Sequence, residues 1–173
     1  MTITFPTNQD LDHARLRLAF GTFPTGVVAV AAEVDGAMVG LAASSFTSVS
    51  LDPPLVSINL ARTSKTWPEL RRASRLGLTV LADHHGPLCR QLAGPVDHRF
   101  DGIDVTVTEH RAVVIDDGLA KFETTVHREV EAGDHVLVLL ELHAVDHIDG
   151  SAPLVFHRSA FGRLAAAEAR VPQ

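Results

Sequence analysis

Apolar and polar residues alternate along several stretches of this chain, and elsewhere the apolar residues run unbroken, so most of the elements they predict are strands. The longest alternation marks Ala120, Phe122, Thr124 and Val126, then Val136, Val138, Leu140 and Leu142. A period of two is the mark of a half-buried strand. Glu131-Ala132-Gly133-Asp134 joins the two runs and predicts an antiparallel hairpin. Val27-Val28-Ala29-Val30-Ala31-Ala32 is continuous and reads as a buried strand. Asp35-Gly36 is a tight hairpin signal, with 37–41 returning as the second strand. Further strands are predicted over 55–60, 76–81, 103–107 and 154–156.

Helical spacing is scarce. Leu11, Ala14, Leu18 and Ala19 share one face of a helix predicted over 10–20, with Arg15 and Arg17 outside that face and Gly21 ending it. A short helix over 66–73 has Thr66 as its cap and Pro68 in its first turn. Another is predicted over 87–92. Many strands with hairpin turns and few short helices favour a mainly β fold, an antiparallel barrel, over a doubly wound α/β sheet. No G-x-G-x-x-G opens a helix, and no G-x-x-x-x-G-K-[ST] occurs.

At 173 residues the chain fits one domain, 1–173, with its core over about 10–164 and an Ala-rich tail. A net charge of -6 without any Lys/Arg-rich run argues against nucleic acid and anionic membrane as partners. The N-terminus lacks a signal-peptide pattern, and no apolar run approaches the roughly 18 residues that span a bilayer. Cys89 stands alone, which excludes an intrachain disulfide and suits a reducing compartment. A soluble, cytoplasmic protein is the expectation. The ten His residues lack the spacing of a strong metal site, so surface or structural roles and no metal are expected of them. His143 and His147 would be neighbours only on a helix, and their segment reads as a strand. Cys89 reads as a small packing residue.

The chemistry concentrates over 40–56, Gly-Leu-Ala-Ala-Ser-Ser-Phe-Thr-Ser-Val-Ser-Leu-Asp-Pro-Pro-Leu-Val. Small hydroxyl residues at a strand end let a phosphate or flat ring approach backbone and hydroxyl donors. The stretch holds no Cys, His or carboxylate cluster, so a bound cofactor would have to supply the chemistry. A polar connection between strands is the other reading.

Three blocks of sequence resemble the flavin reductase family, whose members include small reductase components of two-component flavin-dependent monooxygenases. Phe23-Pro24-Thr25-Gly26-Val27 is similar to the family's F-[AP]-T-G-V. Residues 40–54 are similar to its G-x-T-A-S-S-F-x-S-[VL]-S-x-D-P-P, and Ala132-Gly133-Asp134-His135 contains its G-D-H. Arg99-Phe100-Asp101-Gly102-Ile103 and Pro153-Leu154-Val155-Phe156-His157-Arg158 are weaker matches. Two departures each remove a potential polar contact: Ala42 stands where Thr is common, and Phe156 where Tyr is common. The resemblance implies a split antiparallel β-barrel that binds FMN or FAD together with NADH or NADPH, as a homodimer. It implies hydride transfer from nicotinamide to flavin, and a separate monooxygenase that receives the reduced flavin.

For flavin, the candidate residues are Thr25, Ala42, Ala43, Ser44 and Ser45 at the ring. Thr63, Ser64, Lys65 and Thr66 are candidates at the phosphate, where donors and a positive charge gather at a predicted helix start. Ser57 and Asn59 share one face of their strand, which meets either the flavin or solvent. Phe100 packs either on the ring or in the core, whereas Phe46 is assigned to the core. For the nicotinamide nucleotide, the resemblance implies Gly133, Asp134, His135 and Phe156. Gly133 permits the turn and His135 is the orienting donor, although Gly133-Asp134 also suffices as a plain hairpin turn. Hydride transfer needs positioning rather than a nucleophile or base, so no catalytic side chain is assigned. Two other functions stay open: a flavin- or haem-binding split-barrel module without turnover, and a flavoprotein reducing another organic acceptor.

Overall fold

The computed structural model describes residues 11–164. The strands are β1 (Thr25–Gly26), β2 (Val28–Val34), β3 (Ala37–Ala43), β4 (Thr47–Leu51), β5 (Pro54–Ala61) and β6 (Leu76–Val80). They continue as β7 (Val105–Val107), β8 (Val113–Ile115), β9 (Ala120–Ala132), β10 (His135–His147), β11 (Val155–His157) and β12 (Ala160–Gly162). The helices are short: α1 (His13–Phe20), α2 (Trp67–Leu70) and α3 (Gly86–Leu92).

Seven strands form one antiparallel sheet in the order β3-β2-β6-β9-β10-β5-β4. The two edge strands, β3 and β4, are separated by only residues 44–46. The sheet therefore has to curl back on itself, yet β3 and β4 do not pair. This is the mainly β, split antiparallel barrel that the sequence pattern and resemblance imply.

β2 shows why its apolar run is unbroken. Val28, Val30, Ala32 and Val34 face a core shared with Ile58, Leu78, Val138, Leu140 and the α2 residues Trp67 and Leu70. Val27, Ala29 and Ala31 face a second core with Leu81, Leu92, Val113, Ile115 and Leu154. A strand buried on both faces has no polar side to alternate with. Cys89 lies in that second core, as a packing residue should. The layer beyond it is built by the hairpin β7-β8 and the small sheet β1-β11-β12.

The turns follow their residues. Asp35 and Gly36 both have positive φ, 51° and 82°, the demand of a type I′ turn. At the tip of β9-β10 the turn is residues 133–134 alone, tighter than the predicted connector, and Gly133 supplies the positive φ of 65°.

Several expectations need correction. The helix predicted over 10–20 begins at His13, after Asp12, whose Oδ1 accepts from Arg15 N at 2.7 Å. Position 10 lies outside the described residues. No residue of α1 is buried, and Leu18 is 76% exposed, so the expected apolar face covers nothing within the described chain. The helix predicted over 66–73 shrinks to the four residues of α2, and Thr66 does not cap it. Ser64 Oγ accepts from Trp67 N instead, at 3.2 Å. The sequence pattern does not predict β1, β4, β8 or β12. β4 is an exposed edge strand whose hydroxyl residues resemble a loop, and β8 is only three residues long.

Candidate functional site

A cavity of about 1400 Å³ opens along the unpaired seam of the barrel. One wall is the end of β3 and the link beyond it: Leu41, Ala42, Ala43, Ser44 and Ser45. Opposite are Asn59, Leu60 and Ala61 of β5, then Thr63, Ser64, Lys65 and Thr66. The β9-β10 hairpin contributes Ala132, His135 and Leu137. Phe20, Phe23, Thr25, Phe156 and Arg158 close a further side. Arg17 and Arg99 also line it, so among the described residues three arginines and one lysine line the cavity and no carboxylate does. In a chain of net charge -6, that asymmetry selects for an anionic ligand.

Just before β4 a hydroxyl substitutes for backbone pairing and continues the β4-β5 register. Ser45 Oγ accepts from Asn59 N at 2.8 Å and donates to Asn59 O at 3.0 Å. Its hydroxyl is thereby committed to the protein, whereas Ser44 is exposed. Arg99 braces the same region from behind. Its Nη1 donates to Gly40 O at 2.7 Å and to Thr66 Oγ1 at 2.8 Å, while Nε donates to Gly94 O at 3.0 Å. The buried Thr66 hydroxyl is thus an acceptor for Arg99. Lys65, exposed, has no acidic partner among the described residues.

Thr25 Oγ1 is buried and lacks a hydrogen-bond partner, although its residue lines the cavity. A buried hydroxyl without a partner is costly unless something binds it. Phe156 pairs with Thr25 across β1-β11, and its ring lies 5.7 Å from that of Phe161. His135 sits at the start of β10, opposite Ala61 on one side and Ala132 on the other. Its Nδ1 is 2.7 Å from Asp134 Oδ1. The hydrogen bond and charge of His135 hold the Asp134 carboxyl below its ordinary value. Asp134 O also accepts from Arg62 N at 2.9 Å, tying the hairpin tip to the segment after β5.

The cavity therefore gathers Thr25, Ala42, Ala43, Ser44, Ser45, Asn59, Thr63, Ser64, Lys65, Thr66, His135 and Phe156 from the sequence candidates. Four others do not line it. Phe100 is buried in the second core, packed over Gly40, where a Cβ would stand 2.5 Å from its Cζ. Ser57 is buried and absent from the cavity wall, although it shares strand parity with Asn59. Gly133 and Asp134 form the turn and act on the cavity only through His135. The sequence reading did not assign Phe20, Phe23, Arg17, Arg99 or Arg158. Arg99 and Arg158 fall within the weaker motif blocks, so a signal existed for them.

His84, His85 and Asp117 also come together, within 4.8 Å of one another. Ala82 N donates to His85 Nδ1 at 3.0 Å, so His85 carries its proton on Nε2, 2.9 Å from Asp117 Oδ1. Both ring nitrogens of the neutral imidazole are then engaged, leaving no lone pair for a metal. His84 Nε2 completes the set, 3.0 Å from Asp117 Oδ2.

Comparison with known proteins is consistent across sequence and structure. Residues 20–165 match the family described as "Flavin reductase like domain". A flavin reductase from Pseudomonas putida is 34% identical over 157 residues, covering 90% of this chain and 92% of its own. The crystal structure of nitrilotriacetate monooxygenase component B from Mycobacterium thermoresistibile superposes with a TM-score of 0.89 at 27% identity, covering 95% and 93%. An NADH:FAD oxidoreductase from Streptomyces globisporus, in complex with NAD and FAD fragments, gives 0.87 at 30% identity over 96% of this chain and 100% of that one.

Proposed function

This chain belongs to the flavin reductase-like family, and we propose that it is an NAD(P)H:flavin oxidoreductase acting on FMN or FAD. The observation that carries the reading is the seam cavity, in which a small-residue wall, a hydroxyl-and-lysine segment and the hairpin histidine face one space. Its volume exceeds the roughly 300–1,000 Å³ of an ordinary single-ligand pocket, which suits two nucleotides held together. The residues fit a flavin: Ala42 and Ala43 leave room for a flat ring, Thr25 holds an unsatisfied hydroxyl, and Lys65 with Thr63 and Ser64 suits a phosphate.

The flavin supplies an electrophilic ring that takes up hydride from the nicotinamide. The protein's task is to bind and align the two rings and exclude water. His135, whose Nδ1 is engaged by Asp134, keeps Nε2 for a polar atom of the nicotinamide nucleotide. Gly133 and Asp134 support it from the turn.

We further infer a homodimer acting as a single catalytic domain in the cytoplasm, passing reduced flavin to a separate flavin-dependent monooxygenase. Component B of nitrilotriacetate monooxygenase, a structural neighbour, supports the last of these. The apolar residues Leu18 and Leu51, uncovered among the described residues and the second 96% exposed on edge strand β4, support the dimer. The lone buried Cys89 suits a reducing compartment. No helix among the described residues is long and apolar enough to cross a membrane. NADH and NADPH oxidation with FMN, with FAD and with neither tests the function. Flavin-dependent turnover supports it, and oxidation that requires another organic acceptor overturns it.

A further inference from the structure

A second cavity of about 390 Å³ lies between the end of α1 and the turn joining β11 to β12. Arg17, Gly21, Arg158 and Ser159 line both this cavity and the larger one, so the two arginines stand where they meet. Among the described residues, neither guanidinium has a hydrogen bond or an ion pair.

The turn itself carries a second observation. Arg158 and Ser159 have positive φ, 48° and 63°, and they are the two residues between β11 and β12. The same demand at 35–36 is met by Asp and Gly, which tolerate it. An arginine in the left-handed region is disfavoured, and such strain concentrates where a side chain is used. The surroundings hold it in place: Arg158 N donates to Gly21 O at 3.0 Å, docking the turn on the end of α1.

Two exposed rings adjoin this corner in sequence and line the main cavity: Phe20, 71% exposed, and Phe23, 74% exposed. Exposed aromatic faces stack flat bases. Paired guanidiniums bind phosphate oxygens with a geometry that single ammonium groups lack.

We propose that Arg17 and Arg158, with Phe20 and Phe23, form a subsite for the adenosine diphosphate half of a dinucleotide. The nicotinamide dinucleotides and FAD share that chemistry. The proposal rests on the reading of the larger cavity as a nicotinamide–flavin site and extends it by one ligand half.

Calorimetric titration with ADP, on the wild type and on Arg17→Gln and Arg158→Gly, tests the subsite without any turnover. ADP binds the wild type and weakens about tenfold in each variant, as expected for one lost charge-assisted contact. Glycine relieves the positive φ, so Arg158→Gly keeps the wild-type melting temperature or raises it. KM values then identify the source. If the subsite serves the nicotinamide dinucleotide, KM for NADH rises about tenfold and that for reduced nicotinamide mononucleotide stays within about twofold. If it serves FAD, KM for FAD rises and that for FMN does not. ADP that fails to bind the wild type, or binds both variants equally well, overturns the proposal even if flavin reduction is intact. Equal rises for whole and truncated substrates also overturn it. An enzyme that binds ADP as described and reduces no flavin refutes the function while leaving the subsite standing.

Discussion

His135 Nδ1 and Asp134 Oδ1 are 2.7 Å apart, and only the histidine lines the cavity. The aspartate thus acts on the ligand through the imidazole, fixing the orientation of the ring. His135→Ala raises KM for NADH or NADPH about tenfold, the scale of one hydrogen bond to a bound ligand. Flavin affinity stays within about twofold by the same reasoning. Asp134→Asn gives a smaller rise in the same direction. Steady-state kinetics and a flavin titration check both, and an equal loss of both affinities contradicts the assignment.

Lys65 stands among the hydroxyls of the segment after β5 with no acidic partner among the described residues. Lys65→Ala weakens FMN by about tenfold, the worth of one charged contact to phosphate. Riboflavin, which lacks the phosphate, binds the variant as it binds the wild type. Fluorescence titration with each flavin measures the difference.

Ser45 holds both backbone groups of Asn59 with one hydroxyl. Ser45→Ala removes both bonds at an exposed site where water replaces part of the loss. The unfolding free energy falls by about 1–2 kcal/mol, read from denaturant melts. Flavin affinity falls with it, because the same link shapes the ring wall.

Gly40 leaves no space for a side chain. A Cβ there stands 2.5 Å from Phe100 Cζ and 3.1 Å from both Ala31 Cβ and Val30 O. Gly40→Ala is destabilising by about 1–3 kcal/mol, the usual cost of overpacking a filled core. The midpoint of thermal unfolding checks it.

Acid weakens the fold through His85. Burial pushes its pKa below the ordinary 6.5, against the opposing charge of Asp117. The unfolded chain therefore binds more protons between the depressed value and 6.5, and stability rises with pH across that window. Asp117 acts with the same sign. Burial alone would raise its pKa, but the hydrogen bond from His84 and the charge and hydrogen bond of His85 lower it. Its contribution is lost as pH falls through that lowered value. The melting temperature drops between about pH 7.5 and about pH 5.5, and His85→Gln reduces that drop.

The frame was legible wherever one local pattern determines one local structure. Two-sided burial wrote β2 as an unbroken run, Asp35-Gly36 announced its hairpin, and the long alternation gave β9 and β10. Strand parity placed Ser57 and Asn59 on one face but did not say that only Asn59 reaches the seam. Phe100 has the residue type of a ring wall, and what makes it core is its contact with Gly40, far away in sequence. The same limit hid the cationic lining. Arg17, Arg99 and Arg158 come from distant segments, and no spacing rule relates them until the sheet curls. α1 carries an apolar face in sequence that the described chain leaves bare.

Anaerobic mixing of the purified protein and its flavin with NADH, and separately with NADPH, tests the central claim most directly. The account predicts that the flavin's visible absorbance bleaches in step with nicotinamide oxidation, one flavin for each nicotinamide, with at least one of the two donors. Tight flavin binding without bleaching by either donor would contradict it and leave a binding module in place of a reductase.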